Sequence, residues 1–147
     1  MSGIVWRPTD EYVERANVTR LMRGLGIDSY EELVRRSQER PEWFWDAVVQ
    51  DLGIEFFKPY EQVMDSSDGI PWTKWFVGGT TNLAHNCVDK WAARTPDAWA
   101  VIWEGEDGQV RRVSYLELRQ MADRLAGGLR SLGVAPGDAV GIFMPMA

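Results

Sequence analysis

Apolar positions in this chain follow helical spacing in its first third and strand-like runs only towards its C-terminal half. Thr9 stands before Asp10 and Glu11, so its hydroxyl can cap a helix whose positive end the two acids favour. The predicted helix carries Tyr12, Val13, Ala16 and Leu21 as one weak apolar face, and Gly24 and Gly26 break it. Residues 1–8 read as extended, because Pro8 disfavours a helical Arg7. Ser29 and Glu32 have capping-box spacing ahead of Leu33, Val34 and Ser37. Pro41 suits the first turn of a further helix, where its missing N–H costs nothing. There Phe44, Val48 and Leu52, spaced by four, share a face that Trp45 and Val49 widen, and Gly53 ends the run.

Residues 54–81 show neither period. They place Phe56, Phe57, Tyr60, Trp72, Trp75 and Phe76 among Pro59, Gly69 and Pro71. A disordered linker is poor in such rings, so the segment reads as an irregular arm laid over another surface, with that surface outside the chain. Thr81 or Asn82 then caps a helix bearing Leu83, Cys87, Val88 and Trp91, which Thr95-Pro96 ends. Residues 98–104 and 109–113 read as two strands joined at Gly105-Glu106-Asp107-Gly108. Ser114 and Glu117 form the clearest capping box. Its helix is expected to bury Leu118, Met121, Ala122, Leu125, Ala126, Leu129 and Leu132, with Gly133 as the C-terminal cap. After a turn at 134–138, residues 139–144 (Ala139-Val140-Gly141-Ile142-Phe143-Met144) read as an interior strand. Such a strand needs neighbours and a cover on each face, and one helix and one hairpin do not supply them. The C-terminal boundary therefore reads as a cut, and the isolated chain is expected to be marginally stable or to aggregate. The fold class is α+β within the chain: a helical and irregular lead-in over 1–81, then from 82 to 147 the opening of an α/β domain.

Composition narrows the function. The net charge is −6, and it all sits in residues 1–70, with 8 basic and 14 acidic side chains; residues 71–147 balance. No basic patch exists, so neither nucleic acid nor an anionic membrane is an expected partner. One cysteine, Cys87, and one histidine, His85, rule out an intrachain disulfide and a Cys- or His-rich metal site. That cysteine usage fits a reducing cytoplasm; the N-terminus does not read as a secretory signal, and no stretch is apolar enough to span a bilayer. Eight tryptophans imply interfaces that are covered in the native assembly.

Each candidate for chemistry has a simpler structural account. Phe76-Val77-Gly78-Gly79-Thr80-Thr81-Asn82 suggests a phosphate loop, but no lysine follows at the needed spacing, and the glycines serve close approach or positive φ. His85 and Cys87, two apart on a helix, do not meet as base and nucleophile, and Cys87 reads as a small core residue. Asp89 and Lys90 suit a helix-end cap or ion pair. Glu104, Glu106 and Asp107 are placed at a hairpin tip, where Arg111 and Arg112 can pair across with them. A dinucleotide fold is excluded for want of its strand, Gly-rich turn and helix.

Four blocks nevertheless resemble the N-terminal region of the acetyl-CoA synthetase family, within the adenylate-forming superfamily. They are Trp75–Asp89, with its aromatic pair, glycines, Asn82-Leu83 and Asn86-Cys87-Val88-Asp89; Ala100–Glu106; Val113–Leu118; and Leu132–Met146. The tract Pro41-Glu42-Trp43-Phe44-Trp45 is similar to the helical lead-in of these enzymes. Relatives often carry Arg-His where this chain has Lys90-Trp91, and Trp6-Arg7-Pro8 is similar to the start of acetoacetyl-CoA and propionyl-CoA synthetases. The resemblance implies an AMP-forming ligase that joins acetate or another short-chain carboxylate to coenzyme A through an acyl-adenylate, using ATP and Mg²⁺. It implies that this region is the lead-in plus the first hairpin, helix and strand of the large N-terminal domain, with the remainder of the synthetase as its partner. The family's phosphate loop, adenine, acyl and CoA contacts and catalytic lysine match no position here. The expected catalytic, cofactor-binding and metal residues are therefore none, and the chain alone is expected to bind no cofactor and to be inactive. The competing reading is a standalone, non-catalytic interaction module.

Overall fold

A computed structural model describes residues 5–144, and the chain divides into two units, Met1–Thr80 and Thr81–Ala147. Among its described residues the first unit holds four α-helices, α1 (Asp10–Arg15), α2 (Asn17–Gly24), α3 (Tyr30–Glu39) and α4 (Pro41–Asp51), then an antiparallel hairpin of β1 (Gln62–Asp65) and β2 (Lys74–Val77). Thr9 caps α1 as expected, accepting from the Tyr12 N–H at 3.5 Å. The single helix read from Thr9 to Leu21 is two, because Ala16 is extended (φ −67°, ψ 138°). In a continuous helix the Val13 carbonyl would receive the Asn17 N–H. Here it accepts from the Thr19 hydroxyl at 2.5 Å and the Ala16 N–H at 3.3 Å, and the chain turns.

Ser29 caps α3 through the Glu32 N–H at 3.2 Å. The Glu32 carboxylate turns to Arg35 (2.8 Å) and Arg36 (2.5 Å), whose guanidiniums hold it below the usual carboxylate range. Pro41 begins α4, and Gly53 (φ 60°) closes it: the Ile54 N–H reaches the Val49 carbonyl and the Gly53 N–H reaches that of Gln50. A side chain at Gly53 would strain that left-handed turn. Ile27, Leu33 and Val49 are the buried apolar residues among those described in this unit.

Arg20 on α2 forks onto Asp51 at the end of α4, Nε to Oδ1 at 3.2 Å and Nη2 to Oδ2 at 2.7 Å. The Arg20 hydrogen bond, more than its charge, holds the Asp51 carboxyl below the usual range. A carboxyl with a lowered folded-state pKa stabilises the fold above its unfolded pKa of about 3.9 and ceases to do so as pH falls through the folded value. The urea midpoint of the first unit is thus expected to fall on acidification from about pH 5 downward. Asp51→Asn should flatten part of that slope, and an identical pH profile in the variant would contradict the assignment.

Segment 54–81 is not the irregular arm read from its composition. Its centre is the β1–β2 hairpin, in the register Gln62↔Val77, Met64↔Trp75 and Asp65↔Lys74, with a 3₁₀ turn at Ile70–Trp72. Four-residue strands fall below the length at which alternation stands out. The rings that suggested an outside surface partly serve each other: Phe56, Tyr60 and Phe76 lie with centroids 5.0–5.6 Å apart, and Trp75 meets Trp45 of α4 edge-on at 6.0 Å.

In the second unit Asn82 Oδ1 accepts from the Ala84 and His85 N–H groups at 2.8 and 3.4 Å, and the helix that follows is π-helical over His85–Asp89 before α5 (Lys90–Arg94). The antiparallel hairpin β3 (Trp99–Glu104) and β4 (Val110–Ser114) leads into α6 (Tyr115–Ser131). The capping box is complete: the Ser114 side chain accepts from the Glu117 N–H at 3.3 Å, and Glu117 Oε2 accepts from the Ser114 N–H at 2.8 Å. Gly133 (φ 90°) ends α6 as expected, with the Val134 N–H on the Leu129 carbonyl.

The expected burial of α6 is not found. Leu118, Ala122 and Leu129 are half-covered, while Met121, Leu125, Ala126 and Leu132 are exposed. Amphipathic spacing marks the face meant for a core, but among the described residues of this unit only the short hairpin, α5 and the π-helical stretch before it are there to meet it. Residues 139–144 likewise form no strand, and Phe143 is fully exposed. No described strand offers that run a ladder, and without one the β conformation has no hydrogen-bond return. Pro145 to Ala147 lie outside the described residues. Among those described, no helix is long and apolar enough to cross a membrane.

Candidate functional site

The glycine run that suggested a phosphate loop ends the first unit. Phe76 has φ 51°, uncommon for a residue with a side chain, and Gly78 follows at φ 79°. The amides that would have to face an anion are engaged: the Gly79 N–H donates to the Phe76 carbonyl at 3.0 Å and the Thr80 N–H to the Lys58 carbonyl at 3.0 Å. A Cβ on Gly79 would come within 3.0 Å of Phe56 Cδ1 and of Tyr60 Cβ. The glycine is there to let the backbone approach the rings. Gly79→Ala is expected to cost the first unit about 1–3 kcal/mol through overpacking, read from thermal or urea unfolding. An unchanged midpoint would show that the rings yield freely.

The ring cluster also positions a hydroxyl. Tyr60 donates to Asp46 of α4, and partial burial together with that carboxylate raises the Tyr60 pKa above the usual phenol value. This is a tie between α4 and the hairpin's approach.

His85 and Cys87 lie in the π-helical stretch rather than in a regular α-helix, and Cys87 is exposed, not a core residue. The wider turn shifts the phase of the helix. Leu83 and Trp91, expected on the buried face, are exposed, while Lys90 and Ala92 are buried. Lys90 Nζ donates to Asn86 Oδ1 at 3.2 Å and stands 5.6 Å from the centre of the Trp91 ring. The Trp91 indole N–H donates to the Asn86 carbonyl at 3.1 Å, and Asn86 Nδ2 donates to the Thr81 hydroxyl at 3.0 Å. This node around Asn86 was not legible from spacing, because a π turn brings residues five apart together and the chain carries no local mark of it. Asp89 does form an ion pair, at 3.8 Å with Arg119 of α6.

Glu104, Glu106 and Asp107 reach the hairpin tip as read, and Asp107 Oδ1 accepts from the Gln109 N–H at 3.1 Å to shape the turn. The expected cross-strand pairing is displaced by the register, which sets Arg111 opposite Trp103 and Arg112 opposite Ile102. Among the described residues no three His, Cys, Asp or Glu side chains gather as metal ligands. The tryptophans build no ligand cage: Trp6, Trp72 and Trp99 are largely exposed, and Trp91 tilts against Tyr115 at 6.2 Å. The Gly78-Gly79 turn has its Gly79 and Thr80 amides engaged and lacks the following lysine that a phosphate loop requires.

Comparison with known proteins supplies what the geometry lacks. Residues 30–87 match the family model of the acetyl-coenzyme A synthetase N-terminus, and residues 88–147 match that of AMP-binding enzymes. The acetyl-coenzyme A synthetase of Thiobacillus denitrificans is 37% identical over 97% of this chain and 21% of its own length. That of Deinococcus radiodurans is 42% identical over 80% of the chain and 18% of its own. Among solved structures, the acetoacetyl-CoA synthetase of Streptomyces lividans superposes with a TM-score of 0.81 at 31% identity, covering 90% of this chain and 21% of that one. The chain thus spans about one fifth of the length of the relatives it matches. Two adjoining family models together match residues 30–147, and the homologues this chain resembles in sequence and in mixed α/β fold are acetyl-CoA and acetoacetyl-CoA synthetases of the adenylate-forming superfamily, matched at their N-terminal region.

Proposed function

We propose that this chain serves as the structural N-terminal part of a cytoplasmic, AMP-forming acyl-CoA synthetase and contributes no catalytic group to it. The lead-in occupies 1–81, and the AMP-binding α/β domain opens at 82. In the complete enzyme, acetate or another short-chain carboxylate becomes an acyl-adenylate with release of pyrophosphate, and coenzyme A then displaces AMP. A carboxylate is a poor acyl donor until its oxygen becomes part of a good leaving group, and the phosphoryl charge that develops calls for cationic stabilisation. In this reading those duties fall to the remainder of the synthetase, which is this chain's partner. One observation carries the reading: the apolar face of α6 and the run at 139–144 stand uncovered, with Leu125 at 65% and Ile142 at 86% exposure. Apolar surface of this extent is suited to being covered by further protein. The rival reading, a standalone interaction module, draws on exposed Ile70 and Trp72 at the hairpin turn.

Carboxylate-dependent exchange of pyrophosphate into ATP separates the two. A polypeptide joining this chain to the remainder of a synthetase is expected to catalyse it, and the 147-residue chain is not. Exchange by the short chain alone would overturn the assignment of the chemistry elsewhere. An inactive joined polypeptide that is nonetheless folded would favour the rival.

A further inference from the structure

We draw no further inference here: the strongest candidate, the apolar groove of about 410 Å³ between the β3–β4 hairpin and α6, lined by Val101, Trp103, Val113, Leu118 and Met121, is open among the described residues and nothing in the structure shows what covers it beyond the synthetase remainder already proposed.

Discussion

Leu33→Ala is expected to destabilise the first unit by about 2–4 kcal/mol, the range for removing a buried leucine side chain. Leu33 is 4% exposed, and among the described apolar residues of the unit only Ile27 and Val49 share that degree of burial with it. It sits on α3 with Val34, along a groove that Phe44 and Val48 of α4 also line. Alanine there removes packing along that groove and leaves a cavity between the helices. Against a typical domain stability of about 5–15 kcal/mol, a loss of this size is severe, and in so small a core it should unfold a measurable fraction of molecules at 37 °C. Urea unfolding followed by tryptophan emission reads it directly. Leu52→Ala is the control, since Leu52 is 56% exposed at the end of α4 and its removal should fall within about 0.5 kcal/mol. Equal costs for the two substitutions would mean that the core does not lie between α3 and α4.

Ile142→Asp should have opposite consequences in two settings. In the 147-residue chain Ile142 is 86% exposed, and the stability of the second unit is expected to stay within about 0.5 kcal/mol. The substitution should also reduce aggregation, because a charge interrupts an exposed apolar run. In a complete synthetase, where we propose that the run becomes an interior strand, the same change buries an unpaired carboxylate. It should cost several kcal/mol and abolish soluble, active enzyme. Yield, light scattering and pyrophosphate exchange measured on both polypeptides test this. If the complete enzyme tolerates aspartate at this position, the run is not interior and the proposed cover of the second unit is wrong.

The helix starts were legible wherever the chemistry is local. Thr9, Ser29, Asn82 and Ser114 each cap the helix read for them, and Pro41 opens α4, because a hydroxyl or amide oxygen meets an N–H two or three residues away whatever the rest of the chain does. The β3–β4 hairpin was legible for a related reason: Asp107-Gly108 favours a tight turn, and Trp99 to Trp103 has the β-branched and aromatic content of a strand. The β1–β2 hairpin was hidden because its two strands are four residues each and eight residues separate them, too far for turn chemistry to link. The break at Ala16 depends on one hydroxyl reaching back six residues, and the π turn at His85–Asp89 leaves no mark in residue types.

Residue order by itself determined the local elements of this chain, from the capped helix starts to the hairpin at Asp107-Gly108, along with the absence of a basic surface and of a Cys- or His-rich metal cluster. These depend on contacts over a few residues or on composition, and need no knowledge of distant partners. Tertiary structure alone decided which apolar faces are covered. It buried Leu33 and Lys90, exposed Cys87 and Leu125, and left 139–144 without a ladder. Periodicity marks a face as apolar, but burial requires a second surface within reach, and for α6 the described residues supply only part of one.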